Sequence, residues 1–172
     1  MKTLLASVAL ALTLAVSAQA ASTVKLTDVH MCCQSCVKGV DKALSGLTGV
    51  KGVASMDDKT VDLTAPDAAT LQKAVDALVS AGYYGKSSDA AVKVSADTGA
   101  KNQKVKTLEV SNVHLCCTSC VKAVNKALGT VDGVTGNTAA KGATSFSISG
   151  DFNDQDAMLA LQKAGLTGHV GK

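Results

Sequence analysis

The sequence predicts an α+β chain, two copies of one small domain in tandem behind an N-terminal leader. Three observations carry this. The segment Val29-His30-Met31-Cys32-Cys33-Gln34-Ser35-Cys36-Val37-Lys38 returns as Val113-His114-Leu115-Cys116-Cys117-Thr118-Ser119-Cys120-Val121-Lys122, at a constant offset of 84 residues. Period-two and helical apolar patterns follow one another in the same order after each copy. A lysine and an apolar run from Leu4 to Val16 precede a small-x-small site at Ala18-Gln19-Ala20. That layout is a signal peptide over residues 1–20, and the run is too short for a bilayer span.

The first unit, residues 21–86, opens on Val24 and Leu26 alternating with polar residues, a half-buried strand. After the cysteine loop, Val37, Val40, Leu44 and Leu47 fall at helical spacing. A hairpin follows, from Val50 to Met56, through a turn at Asp57-Asp58, to Val61 and Leu63. Asp67 is the expected N-cap of a second helix with Leu71, Ala74, Val75 and Leu78 on one face. A short strand closes the unit. Residues 105–172 repeat the scheme with Leu108 and Val110, then Val121, Val124, Leu128 and Val131, then Phe146 and Ile148 after a turn near Lys141-Gly142. Asp154 is the expected cap before Ala157, Met158 and Leu161, and Ala164-Gly165 matches Ala81-Gly82. Residues 87–104, rich in Ser, Ala, Asp, Gly and Lys, read as a flexible linker, with Val92 and Val94 as an alternative extension of the last strand. The order βαββαβ is the ferredoxin-like arrangement, helices on one face of a four-stranded antiparallel sheet.

Composition narrows the function. All seventeen basic residues are lysine, so the bidentate guanidinium recognition of phosphate is absent. Four aromatic residues are too few for base stacking, and nucleic acid is not an expected partner. No segment of the mature chain is expected to span a membrane, and the chain is expected to be an exported, periplasmic monomer rather than an enzyme. A Cys32–Cys33 disulfide is disfavoured, because adjacent Cα atoms lie about 3.8 Å apart and disulfides usually need at least about 4.4 Å.

With its C-x-x-C pairs set between a first strand and a first helix, Ala81-Gly82-Tyr83 and Ala164-Gly165-Leu166 before the last strands, and two domain-length repeats, the chain resembles the heavy-metal-associated domain family of copper chaperones, copper-pumping ATPases and periplasmic mercury-binding proteins. The family writes its motif G-M-x-C-x-x-C. The resemblance implies that Cys33 and Cys36, and Cys117 and Cys120, bind a soft metal ion, with Tyr83 or Tyr84 over the metal loop and a metal transporter or acceptor protein as partner. Here His30 and His114 stand in place of the glycine, Cys32 and Cys116 at the variable position, and Leu115 for the second methionine.

Chemistry supports the same reading. Thiolates are soft donors that favour Cu(I), the expected ion, and accept Hg(II), Zn(II) or Cd(II). A helix N-terminus favours thiolate over thiol. Cys32 and Cys116 are either third sulfurs or idle thiols. His30 and His114 are either further ligands, hydrogen-bond donors to the sulfurs, or polar residues at a strand end. Met31 is expected in the core, as Leu115 must be. The lysines beside the loops, Lys38, Lys42, Lys122 and Lys126, read as a solvated helix face or a dock for an acidic partner. Two matching loops predict two independent, exposed metal sites. The competing expectations are a thiol–disulfide redox protein using the C-x-x-C pairs and a structural zinc protein.

Overall fold

The computed structural model describes residues 21–171; the signal-peptide reading lies outside them. The first domain runs β1 (Ser22–Thr27), α1 (Gln34–Leu44), β2 (Lys51–Ser55), β3 (Thr60–Ala65), α2 (Ala68–Ser80) and β4 (Lys86–Ser87). The second runs β5 (Lys104–Ser111), α3 (Thr118–Leu128), β6 (Val134–Asn137), β7 (Ser145–Asn153), α4 (Asp154–Lys163) and β8 (His169–Val170). The sheets have the orders β2-β3-β1-β4 and β6-β7-β5-β8, with every pairing antiparallel. Both are ferredoxin-like, as the order of apolar patterns predicts.

The cores form where period-two and period-3.6 faces meet. Val24, Leu26, Val61 and Leu63 point from the first sheet onto Val40 and Leu44 of α1 and Leu71, Val75 and Leu78 of α2, all buried. Leu108, Val110, Phe146 and Ile148 face Val124, Leu128, Met158 and Leu161 in the second domain. Asp28 and Asn112 follow β1 and β5 with φ of 59° and 57°. This left-handed turn is tolerated best by Asp and Asn among non-glycine residues. It bends each chain out of its sheet and into the cysteine loop.

Two expectations change. Asp67 caps α2, accepting from the Thr70 N–H at 2.7 Å, but α4 is capped by Asn153, which accepts from Gln155 and Asp156. Asp154 is the first helical residue, and its buried carboxylate accepts the Lys101 and Gln103 N–H groups at 2.9 and 2.8 Å. That contact belongs to the second change. The segment read as a flexible linker is anchored along its length. Val92 is buried, Gln72 exchanges two hydrogen bonds with the Lys93 backbone, and Val170 donates to the Thr98 carbonyl at 2.6 Å. Val92 and Val94 do not extend β4, which ends at Ser87. Composition made this stretch look loose because its partners, Gln72 and Asp154, lie elsewhere in the chain.

Candidate metal centre

Each cysteine loop lies between a strand and a helix N-terminus. Cys33 and Cys117 are the N-cap residues of α1 and α3, in extended conformation, and neither caps the helix with its side chain. Their carbonyls accept the N–H groups of Cys36 and Cys120 at 2.9 and 3.1 Å, which curls the first turn and brings the sulfurs within each loop together. Cys33 and Cys36 lie 3.9 Å apart, Cys117 and Cys120 3.8 Å. Cys32 and Cys116 curl in as well, each 3.6 Å from the last cysteine of its own loop. Met31 and Leu115 are buried in the core.

The two loops face each other. Cys32 Sγ is 3.2 Å from Cys117 Sγ and 3.4 Å from Cys120 Sγ; Cys116 Sγ is 3.5 Å from Cys33 Sγ and 3.4 Å from Cys36 Sγ. Two groups of four thiols result, Cys32-Cys33-Cys36-Cys116 and Cys32-Cys116-Cys117-Cys120, with all sulfurs of a group within 4.8 Å of one another. The expectation of two independent, exposed sites is therefore corrected. Cys32 and Cys116 belong to both groups, Cys36 and Cys120 are fully buried, and the rest are half-buried. An ion with four sulfurs at about 2.3 Å in a tetrahedron sets them about 3.8 Å apart. The spacings within a loop already match that figure, and those across the interface need to open by a few tenths of an ångström.

Glycine makes the facing arrangement possible. Gly82 and Gly165 have φ of 89° and 77°, and a Cβ on Gly82 would lie 2.6 Å from the His114 nitrogen and 2.7 Å from the Asn112 carbonyl oxygen of the other domain. Gly165 approaches the Asp28 carbonyl and the His30 nitrogen in the same way. The Gly165 carbonyl accepts from His30 and Tyr84, both at 3.2 Å, and the Gly82 carbonyl accepts from Thr167 at 3.0 Å. The matching Ala-Gly pairs thus clamp one domain onto the loop of the other.

The histidines sit beside the thiols but differ. His114 Nε2 lies 3.1 Å from the Tyr83 hydroxyl, which donates to the Cys36 carbonyl at 2.8 Å, and the two rings stack with centroids 4.7 Å apart. Gly39 leaves room for this pair; a Cβ there would collide with the Tyr83 hydroxyl. Tyr83, rather than Tyr84, is the tyrosine that reaches the loop. Its counterpart in the second domain is Leu166, bridged to it across the interface, with no hydroxyl to offer. His30 Nε2 is buried without a hydrogen-bond partner. Neither histidine belongs to a four-ligand group among the described residues, and His169 is exposed.

Charge concentrates at the centre. Burial pushes the Cys32 and Cys116 thiols up, so both hold protons at neutral pH. Burial also acts on Cys117, but hydrogen bonds from the Cys32 thiol and from the Cys120 and Ser119 N–H groups outweigh it and bring it down to about 6. Cys36 is held down, first by the Cys120 thiol, and Cys120 is pushed up, first by Cys36, so this buried pair shares one negative charge. Burial, aided by that negative charge, raises Tyr83, whose hydroxyl stays neutral. Burial lowers His30, leaving it neutral at pH 7.

No family model and no curated protein matches the chain. Among solved structures, the N-terminal domain of PacS from Synechocystis PCC6803 is 20% identical over 40% of this chain and 100% of its own, with a TM-score of 0.36. The apo form of the HMA domain of copper chaperone for superoxide dismutase is 26% identical over 51% of this chain and 86% of its own, with a TM-score of 0.35. The N-terminal soluble domains of Bacillus subtilis CopA are 15% identical over 89% of this chain and 95% of their own, with a TM-score of 0.34. All three scores fall below 0.5. The fold stands on its strand order, and the site on its own sulfur geometry.

Proposed function

We propose that this chain is an exported, periplasmic protein that binds soft metal ions, Cu(I) above others, and holds them between its two domains in a storage or buffering role. The single observation that carries the reading is the convergence of six thiols from both loops into two four-sulfur groups sharing Cys32 and Cys116. The geometry accommodates two ions bridged by those two sulfurs. Soft thiolates select Cu(I), Hg(II), Zn(II) or Cd(II) over hard cations. Thiols that are protonated in the apo protein must lose their protons to ligate, so uptake releases protons and affinity rises with pH.

A two-sulfur site open to solvent suits rapid handover by ligand exchange. Here Cys36 and Cys120 are sealed in, and each ion has more sulfurs to leave, which slows release and favours retention. A thiol–disulfide oxidoreductase needs the first cysteine of its C-x-x-C free to attack a protein disulfide, and here Cys33 and Cys117 are half-buried against Cys116 and Cys32 of the facing loop, which disfavours that role.

Anaerobic titration of the reduced chain with Cu(I) against a chromophoric chelator tests the proposal. Two equivalents should bind, and X-ray absorption of the two-ion form should show sulfur-only ligation with a copper–copper shell. Two equivalents without that shell would mean separate sites, one per loop. No binding stronger than the chelator, with thiol-dependent turnover of a disulfide substrate, would replace the reading with the redox one.

A further inference from the structure

The two domains are related by a pseudo-twofold axis through the thiols, and that symmetry is broken on one side. Beside Cys32 lies a cleft of about 580 Å³ lined by Asp28, His30, Cys32, Lys59, Lys86 and Lys163. Its symmetry mate, a hollow of about 220 Å³ lined by Ser80, Asn112, His114 and Thr144, carries no formally charged side chain, and neither does the adjoining hollow at Cys116. The correspondence follows from the backbone. Val29 donates to the Lys59 carbonyl as Val113 does to that of Thr144, and Thr27 pairs with Lys86 as Ser111 does with His169. Lys59, Lys86 and Lys163 are thus replaced on the other side by Thr144, His169 and Ser80. Lys86 is paired with Asp28 at 2.9 Å, which leaves the cleft a net charge of two positive from Lys59 and Lys163. His30 adds a ring nitrogen without a partner, whereas His114 is tied to Tyr83.

We propose that this lysine cleft binds a small thiol bearing carboxylates, and that soft metal enters and leaves the centre there through Cys32. The inference rests on the metal-binding reading above. The cleft has the size of a small-molecule site, its charge matches a carboxylate dianion, and its wall holds a half-buried thiol that belongs to both four-sulfur groups. Metal passes by ligand exchange. The Cys32 thiol gives up its proton as its sulfur bonds Cu(I), the bond between Cu(I) and the carrier sulfur breaks, and the released thiolate takes up a proton. Copper keeps its oxidation state throughout. The uncharged hollows at Cys116 make the exchange one-sided.

Mercaptosuccinate, a dicarboxylate thiol, and monothioglycerol, a neutral one, serve as probes. Added to the reduced, metal-free chain, mercaptosuccinate should shift backbone amide resonances around Lys59, Lys86 and Lys163, and monothioglycerol should not. Replacing the two unpaired lysines, Lys59→Gln with Lys163→Gln, should weaken that binding at least tenfold, while Ser80→Ala with Thr144→Ala leaves it unchanged. In stopped flow at low salt, Cu(I) should transfer from mercaptosuccinate about tenfold faster than from monothioglycerol, an advantage lost in the lysine variant or on adding salt. The copper stoichiometry should be the same in all variants. Equal shifts with both thiols, or an unchanged lysine variant, with copper uptake intact overturns this inference alone. Docking that survives in a chain taking up no copper overturns the function proposed above and the exchange step with it, and the anion site stands.

Discussion

Cys32→Ser and Cys33→Ser remove chemically identical sulfurs from adjacent residues, yet the structure gives them different consequences. Cys33 Sγ has neighbours at 3.9 Å (Cys36) and 3.5 Å (Cys116) and belongs to one four-sulfur group. Cys32 Sγ has neighbours at 3.6, 3.2 and 3.4 Å (Cys36, Cys117 and Cys120) and belongs to both. A serine hydroxyl is a hard donor that a soft ion does not accept in exchange. If losing one of four sulfurs weakens an ion at least tenfold, about 1.4 kcal/mol, Cys33→Ser should weaken one of two bound ions and spare the other. Cys32→Ser should weaken both, lowering the product of the two binding constants at least a hundredfold, about 2.8 kcal/mol. Stepwise Cu(I) competition under anaerobic conditions measures both constants. Unfolding of each metal-free variant confirms that the fold survives. Identical isotherms for the two variants would refute the bridging role, and an unchanged isotherm for Cys32→Ser would make that residue a bystander.

Two further predictions concern the frame that holds the loops together. Tyr83→Phe removes the hydroxyl shared by the Cys36 carbonyl and His114 Nε2 and leaves both short of a partner. It should cost about 1–3 kcal/mol of stability in urea unfolding, where a partner-free hydroxyl would cost nothing. Asp154→Ala strips the Lys101 and Gln103 N–H groups of their acceptor and should cost about 2–4 kcal/mol, with faster amide exchange between residues 88 and 103. Burial pushes the Asp154 carboxyl up, but the N–H groups of Lys101, Gln103 and Gln155 outweigh it and hold it below the ordinary 3.8. Its contribution is therefore fully present above that value and fades as pH falls through the folded one, so native chain and variant should converge in stability in strong acid.

Much of the molecule was legible in the sequence because it is set by local periodicity. Alternating Val24 and Leu26, the helical spacing of Val40 and Leu44, the Asp67 cap and the 84-residue repeat each define an element or a domain from neighbours in the chain. The convergence of thiols within each loop was legible for the same reason: a C-x-x-C at a strand-to-helix junction brings its sulfurs together with one helical turn. Other features depend on residues far apart in sequence. By position Asp154 is the expected cap, but Asn153 caps the helix and Asp154 holds a segment about fifty residues upstream. Gly82 and Gly165 repeat visibly, yet nothing in a single unit says that each must admit the backbone of the other domain. The meeting of the loops is a tertiary fact above all. Sequence identity between the repeats shows two equal cysteine loops and is silent on how they are oriented, and orientation alone puts Cys32 beside Cys117 and Cys116 beside Cys33. Shared sulfurs, a buried charge and a lysine cleft on one side follow from that packing, because sulfur ligation acts over a few ångströms and two domains must be docked before their thiols can act as one centre.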